Sequence, residues 1–212
     1  MIVIRGTLVS PFTRKVHVLC REKGIPFQSA FLAPMPKTPE LLAMHPLGKI
    51  PVLEEAGRFL PDSSVICAYL ERLHPNQALY PADAKEFAQA LFLEEYSDTR
   101  ALEAFAPALV ERVIMPRDFD RPGDEGRVVR TGAEIVPPVF DWLEAHANER
   151  GLVGGRFSIA DCAIGAQLQS WAFAGESVDG RRWPRLRGYS DAMLSRPSFV
   201  ETAAAFAAEE VP

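Results

Sequence analysis

Cysteine is scarce in this chain and spaced poorly for chemistry. Cys20, Cys67 and Cys162 are the only three in 212 residues, an odd number set far apart. That spacing excludes a disulfide framework, and without a Cys-x-x-Cys pair a dithiol redox mechanism has no support. Cys20 and Cys67 fall in helical apolar stripes and read as core residues. Histidine is almost as thin: His17, His45, His74 and His146 show no ligand spacing, so no metal site is expected. Positive charge is not in excess. With 23 basic and 28 acidic residues the net charge is −5, which argues against nonspecific nucleic-acid binding as the main role. The one basic cluster, Arg181, Arg182, Arg185 and Arg187, is broken by Trp183 and Pro184 and reads as a solvated or salt-bridged loop. No uninterrupted apolar run reaches membrane-spanning length, and Met1-Ile2-Val3-Ile4 carries no basic leader. The reading is a soluble cytoplasmic protein. Internal repeats and low-complexity tracts are missing apart from an Ala-rich stretch at Thr202 to Ala208.

What is present is enough apolar material for a core, 48% of residues, so disorder is not expected. The stretch from Leu47 to Ile66 organises the chain. Val52-Leu53 reads as a strand and Glu55-Ala56-Gly57 as a tight turn. A second strand around Phe59-Leu60 follows, then a helix whose stripe is Val65, Ile66, Tyr69, Leu70 and Leu73. Asp62 or Ser63 is a good N-cap for that helix. Pro51 has no N–H, so Ile50 before it can present unpaired backbone to a ligand. Asp62-Ser63 sets a carboxylate and a hydroxyl at a helix N-terminus, where free N–H groups attract an anion. Spacing alone favours the plainer alternative, an edge-strand proline and an ordinary cap.

Upstream, Ile2 to Arg5 reads as a buried first strand. Ser10-Pro11 opens a helix with stripe Phe12, Val16, Leu19 and Cys20 that stops at Gly24. A second strand lies near Phe27 to Leu32, and a short helix at Glu40 to Met44 follows a proline-rich loop. The order is β-α-β-α-β-β-α over residues 1–76. Residues 77–83 form a linker with few large apolar residues. From 84 to 212 the pattern is helical only. One long helix is expected from Ala84 to about Pro116, bent near Pro107. A second, running to about Arg150, is interrupted at Pro137-Pro138. Ser158-Ile159-Ala160-Asp161 is a capping box before a helix that is apolar on most sides and belongs at a domain centre.

Pro46-Leu47-Gly48-Lys49-Ile50-Pro51-Val52-Leu53, followed by Asp62-Ser63 and Ile66, resembles the glutathione-binding half of the glutathione S-transferase family. Ser10-Pro11-Phe12-Thr13-Arg14-Lys15-Val16 resembles the loop carrying the catalytic serine or cysteine of theta-, omega- and beta-like members. The Ser158 box, Pro184-x-Leu186 and Arg196-Pro197-Ser198-Phe199 resemble its C-terminal domain, so the likeness spans nearly the whole chain. It implies an α/β thioredoxin-like N-terminal domain with a mixed four-stranded sheet, then an all-α domain holding the acceptor pocket. It implies a cis Ile50–Pro51 bond, with Ile50 pairing its backbone to the cysteinyl part of glutathione. Asp62 and Ser63 would hold the γ-glutamyl end, although the family more often has Glu or Gln at the Asp62 position. Lys49 would pair with the glycyl carboxylate or stay solvated; His45 is a second candidate for that carboxylate or a surface histidine.

Ser10 would polarise the thiol, its plainer alternative being a helix cap, and Thr13 is a weaker substitute. No tyrosine precedes Tyr69, so a tyrosine-type mechanism is excluded. A free thiol has a pKa of roughly 8.5, and lowering it by about two units takes about 2.7 kcal/mol. One hydroxyl hydrogen bond with a helix N-terminus supplies that order of magnitude. The implied function is glutathione-dependent attack on a small hydrophobic electrophile by a homodimer. Tyr96, Arg100 and Phe105 are the positional candidates for the acceptor pocket. The competing reading is a non-catalytic binding or assembly module on the same scaffold.

Overall fold

A computed structural model gives the structure of residues 1–211. The chain divides into two compact units, Met1–Tyr80 together with the segment from Pro197 onward, and Pro81–Arg196.

The first unit runs β1 (Ile2–Arg5), α1 (Pro11–Glu22), β2 (Phe27–Ala30), α2 (Pro39–Met44), β3 (Val52–Glu55), β4 (Arg58–Pro61) and α3 (Ser63–Leu73). The sheet is mixed, in the order β2-β1-β3-β4. β1 and β2 are parallel, whereas β3 is antiparallel to both β1 and β4. This is the mixed four-stranded, thioredoxin-like arrangement expected from the sequence. Local signals act where they stand. Ser10 caps α1 with Pro11 in its first turn, and Thr38 caps α2 with Pro39 in the same place. The β3–β4 turn places Ala56 at φ +50° and Gly57 at φ +76°, both left-handed, as a two-residue hairpin turn requires. The core is built from Ile4, Val16, Leu19, Leu41, Val52, Leu53, Ile66 and Leu70, all essentially inaccessible. Behind α3 the chain is held by Lys23, whose ammonium donates to Glu71 (2.7 Å) and to the carbonyls of Asn76 and Gln77 (3.1 Å each). The last helix, α11 (Pro197–Ala207), packs along α1.

The second unit is helical. It comprises α4 (Ala84–Tyr96), α5 (Leu102–Leu109), α6 (Met115–Phe119), α7 (Glu125–Glu134), α8 (Val136–His146), α9 (Ile159–Phe173) and α10 (Pro184–Leu194). The expected single helix from Ala84 is helical throughout but changes gauge twice, with π-helical turns at Ser97–Ala101 and Val110–Ile114. Pro107 lies inside α5, between them. The first wide turn is met by α9, where Gln167 Nε2 donates to the Ser97 carbonyl at 3.2 Å. The Pro137-Pro138 pair separates α7 from α8, because two successive prolines are accommodated best in the first turn of a restarted helix. The arginine cluster is tied down: Arg182 pairs with Asp141, Arg187 with Asp191, and Arg185 donates to the carbonyls of Ala145 and Ala147. Among the described residues, no helix is long and apolar enough to cross a membrane.

α9 is the centre of this unit, buried on every face from Ile159 to Trp171. Its start is organised by Asp161. One carboxylate oxygen accepts the Ser158 N–H (2.8 Å) and the Ser158 hydroxyl (3.0 Å). The other accepts the Leu152 N–H and the Tyr189 hydroxyl, both at 2.9 Å. Burial pushes the Asp161 pKa up to about 6, and the four hydrogen bonds only partly oppose it. The folded-state pKa thus exceeds that of the unfolded chain, so the native state binds the extra proton. Stability from this group is fully present below pH of about 4 and is lost as pH rises through about 6. Asp161→Ala strands several buried donors and should cost on the order of 3 kcal/mol in urea unfolding. Against Asp161→Asn, which cannot titrate, wild type should hold its widest stability advantage near pH 4 and a narrower one above pH of about 6. A constant gap across that range refutes the assignment.

Candidate functional site

The site follows from strand register in the first unit. Arg5, the last residue of β1, pairs with Val52, the first of β3, and Val52 pairs with Pro61, the last of β4. Three chain segments therefore leave the sheet side by side at one end: residues 6–10 after β1, Ile50-Pro51 before β3, and Asp62-Ser63 after β4. The helices that follow are tied together close by, since Lys15 on α1 donates to the Ser64 hydroxyl on α3 at 2.9 Å.

Each segment offers unused hydrogen-bonding capacity. Ser10 is half-buried, and its Oγ accepts the Thr13 N–H at 3.4 Å. Its own O–H has no acceptor among the described residues and is available to donate. Thr13 does not share this role: it is wholly buried, and its hydroxyl has no partner among the described residues. It is packed so tightly that a Cβ on Gly6 would stand 2.5 Å from its Oγ1.

The Ile50–Pro51 bond is cis. Ile50 precedes the ladder, which starts at Val52, and makes no backbone hydrogen bond among the described residues. Of the two possible caps for α3, the helix uses Asp62. Its Oδ1 accepts the N–H groups of Ser64 (3.0 Å) and Val65 (3.2 Å), and its φ of +78° bends the chain sharply out of β4. Ser63 is thereby left at the first helical position. Its hydroxyl has no partner among the described residues, and its environment is the positive end of α3.

Lys49 is exposed and forms no ion pair or hydrogen bond among the described residues. His45 is buried rather than a surface residue, and its Nδ1 accepts the Leu47 N–H at 3.2 Å. Burial lowers its pKa, the Asp62 carboxylate pulls it back up, and Lys49 lowers it further. Those couplings put His45, Lys49 and Asp62 in one electrostatic neighbourhood, with the histidine shaping the loop. Lys37 braces the same loop. Its Nζ donates to the Leu47 carbonyl at 3.1 Å, and its stem crosses Gly48 where a Cβ would come within 2.8 Å. A lysine in a proline-rich loop gives no sign of this in sequence, because the contact depends on how that loop folds back.

The remaining candidates have contacts of their own. Phe105 is fully buried, packing on Phe140 and Trp171 at 5.6 Å between ring centroids, so it is a core residue and not an exposed pocket wall. Tyr96 stacks on Trp142 at 4.3 Å, and Arg100 pairs with Glu103 at 3.0 Å. His17 is buried against Phe27. Desolvation, reinforced by Arg21, drives its pKa down to about 3, so it is neutral. Cys20, Cys67 and Cys162 are buried thiols outside any disulfide, and burial pushes the Cys20 thiol up to about 12. Among the described residues, no group of three or more His, Cys, Asp or Glu side chains is arranged to hold a metal ion.

The sheet end thus presents four groups of different chemistry. Ile50 supplies strand-like backbone pairing, Ser63 and the α3 N-terminus an anion seat, Lys49 a cation, and Ser10 a hydroxyl donor.

Comparison with known proteins places the fold in a family. Residues 9–73 match the family model for the glutathione S-transferase N-terminal domain, and residues 101–192 match that for the C-terminal domain. Glutathione S-transferase U4 of Arabidopsis thaliana is 35% identical over 165 residues, 77% of this chain and 68% of the relative. The uncharacterized GST-like protein YibF of Escherichia coli K12 is 29% identical over 206 residues, 93% of this chain and 96% of the relative. A crystal structure of a glutathione S-transferase from Rhodospirillum rubrum superposes with a TM-score of 0.86 at 26% identity, over 100% of this chain and 94% of that one. With both domain models matched and a relative 35% identical covered over 68% of its length, the chain belongs to the glutathione S-transferase family.

Proposed function

We propose that the protein is a glutathione transferase in which Ser10 stabilises the thiolate of glutathione for attack on a small hydrophobic electrophile. The observation that carries this reading is the convergence of three unsatisfied groups at one sheet end: the Ser10 O–H, the Ile50 backbone and the Ser63 hydroxyl. Glutathione fits that set. Its cysteinyl segment is extended and offers an N–H and a C=O to Ile50 beside Pro51. Its γ-glutamyl carboxylate suits Ser63 and the α3 N-terminus. Asp62 spends one oxygen on capping and keeps the other for the ammonium group. Lys49 meets the glycyl carboxylate.

Ser10 acts as a donor and not as a base. Its Oγ already accepts the Thr13 N–H, which polarises its O–H toward a sulfur in front of α1. The thiol proton goes to solvent, and the O–H donates to the sulfur anion that remains. The thiolate then forms a carbon–sulfur bond, expelling a leaving group or adding to an activated double bond. The protein acts as a homodimer.

Calorimetry with millimolar glutathione tests the reading directly. Wild type should bind. Ser63→Ala should weaken binding by about tenfold, as expected for one lost hydrogen bond to a charged group. Ser10→Ala should bind glutathione nearly as well yet lose about a hundredfold in kcat, with the bound thiol titrating close to its free value of about 8.5. Absence of heat at millimolar glutathione overturns the proposal. Tight binding without turnover across a broad panel of electrophiles would favour the non-catalytic module instead.

A further inference from the structure

The loop that delivers Ser10 is held from the far end of the sequence. Residues 6–10 belong to no regular element, yet their backbone is closely accounted for. The Gly6 N–H donates to Ala30 O (3.0 Å), Gly6 O accepts from Leu32 (3.3 Å), and the Ser10 N–H donates to Thr7 O (3.1 Å). The Val9 N–H reaches Thr7 Oγ1 at 3.4 Å. The Leu8 N–H donates to Glu209 Oε1 at 2.8 Å, and the Thr7 hydroxyl donates to Glu209 Oε2 at 2.6 Å. On the opposite side, the carbonyls of Leu8 and Val9 both accept from Arg14 Nη1 at 2.7 Å. Leu8 is thus gripped through its N–H by a carboxylate and through its C=O by a guanidinium.

The Arg14 grip is buried, and the Glu209 grip is half-buried. Thr7 and Leu8 are buried, and Arg14 is wholly inaccessible. The charge of Glu209 supports the buried guanidinium against the burial that lowers its pKa. Delivery of Glu209 is set by α11, which runs antiparallel to α1. Glu201, early in α11, pairs with Arg21 at the end of α1 (3.2 Å), while Glu209, just past α11, reaches the loop in front of α1.

We infer that Glu209 is a positioning residue for Ser10, its carboxylate clamping the Thr7–Leu8 turn so that the hydroxyl two residues on is aimed at the sulfur. The inference rests on the reading of Ser10 given above. Charge-assisted bonds to a loop N–H and a threonine hydroxyl are among the stronger polar contacts available, and small misplacements of a reacting group are costly. The clamp also makes the segment after α11 part of the site, though it touches no substrate.

The test uses the full chain carrying Glu209→Ala, the conservative Glu209→Gln, and Glu201→Ala as a control that loosens only the other end of α11. Amide exchange at Leu8 should rise by about tenfold or more in Glu209→Ala, while Ile4 and Leu53 stay protected. Its kcat should fall by about tenfold with KM for glutathione nearly unchanged, and the bound thiol should titrate at higher pH. Glu209→Gln, which keeps an acceptor for Leu8, should recover much of each effect, and Glu201→Ala should show none. Unchanged Leu8 exchange in Glu209→Ala overturns the inference. So does raised exchange with kcat and thiol titration unaltered. If wild type itself neither binds nor ionises glutathione, the transferase reading falls, and Leu8 exchange alone decides whether Glu209 holds the loop.

Discussion

The pairing of Arg5 with Val52 and of Val52 with Pro61 is the constraint on which the rest depends. Val52 and Leu53 are both buried, on opposite faces of the sheet, so a slip of one residue in β3 would carry Glu54 into the place of Leu53. The hydrophobic pattern forbids that slip, and the tight Ala56-Gly57 turn forbids a slip in β4. Once the register is set, three chemically unlike segments must emerge together. A serine-capped helix, a prolyl bend and an aspartate-capped helix, separated by about forty and ten residues in sequence, become neighbours.

α1 carries the second lesson. Its sequence between Thr13 and His17 is polar, Thr-Arg-Lys-Val-His, yet all five residues are buried. The helix is covered on several faces, by the sheet, by α3 and by α11. Its charged side chains survive burial because each finds fixed partners: Arg14 the Leu8 and Val9 carbonyls, Lys15 the Ser64 hydroxyl. Such contacts stabilise little in net terms, but stranding one partner is expensive, so they hold the geometry around Ser10 in a single arrangement. Asp161 does the corresponding work in the helical unit. One buried carboxylate gathers Leu152, Ser158 and Tyr189 at the start of α9.

Local chemistry was readable wherever a residue acts on its immediate neighbours. The caps at Ser10 and Ser158, the Gly57 turn, the break at Pro137-Pro138 and the all-round apolar α9 follow from spacing and side-chain type, and the element order of the first unit follows from them. Less visible were features set by contact at a distance. The two π-helical turns have no marker in the hydrophobic stripe. Phe105 looked like a pocket residue because an exposed and a buried position on a long helix differ only in what lies opposite. His45 and Lys37 act on the Leu47 peptide, which no spacing rule connects to them.

The linear chain, through its caps, turns and alternating apolar positions, was sufficient to specify a small mixed sheet with helices and then a helical bundle, since those signals operate within a few residues. Folding in three dimensions chose Asp62 over Ser63 as the cap of α3 and so left the Ser63 hydroxyl without a partner among the described residues. It also brought Glu209 back across some two hundred positions to the turn before Ser10. Such choices are made by which groups remain unpaired once the elements pack, and that is a property of the assembled surfaces and of no single segment.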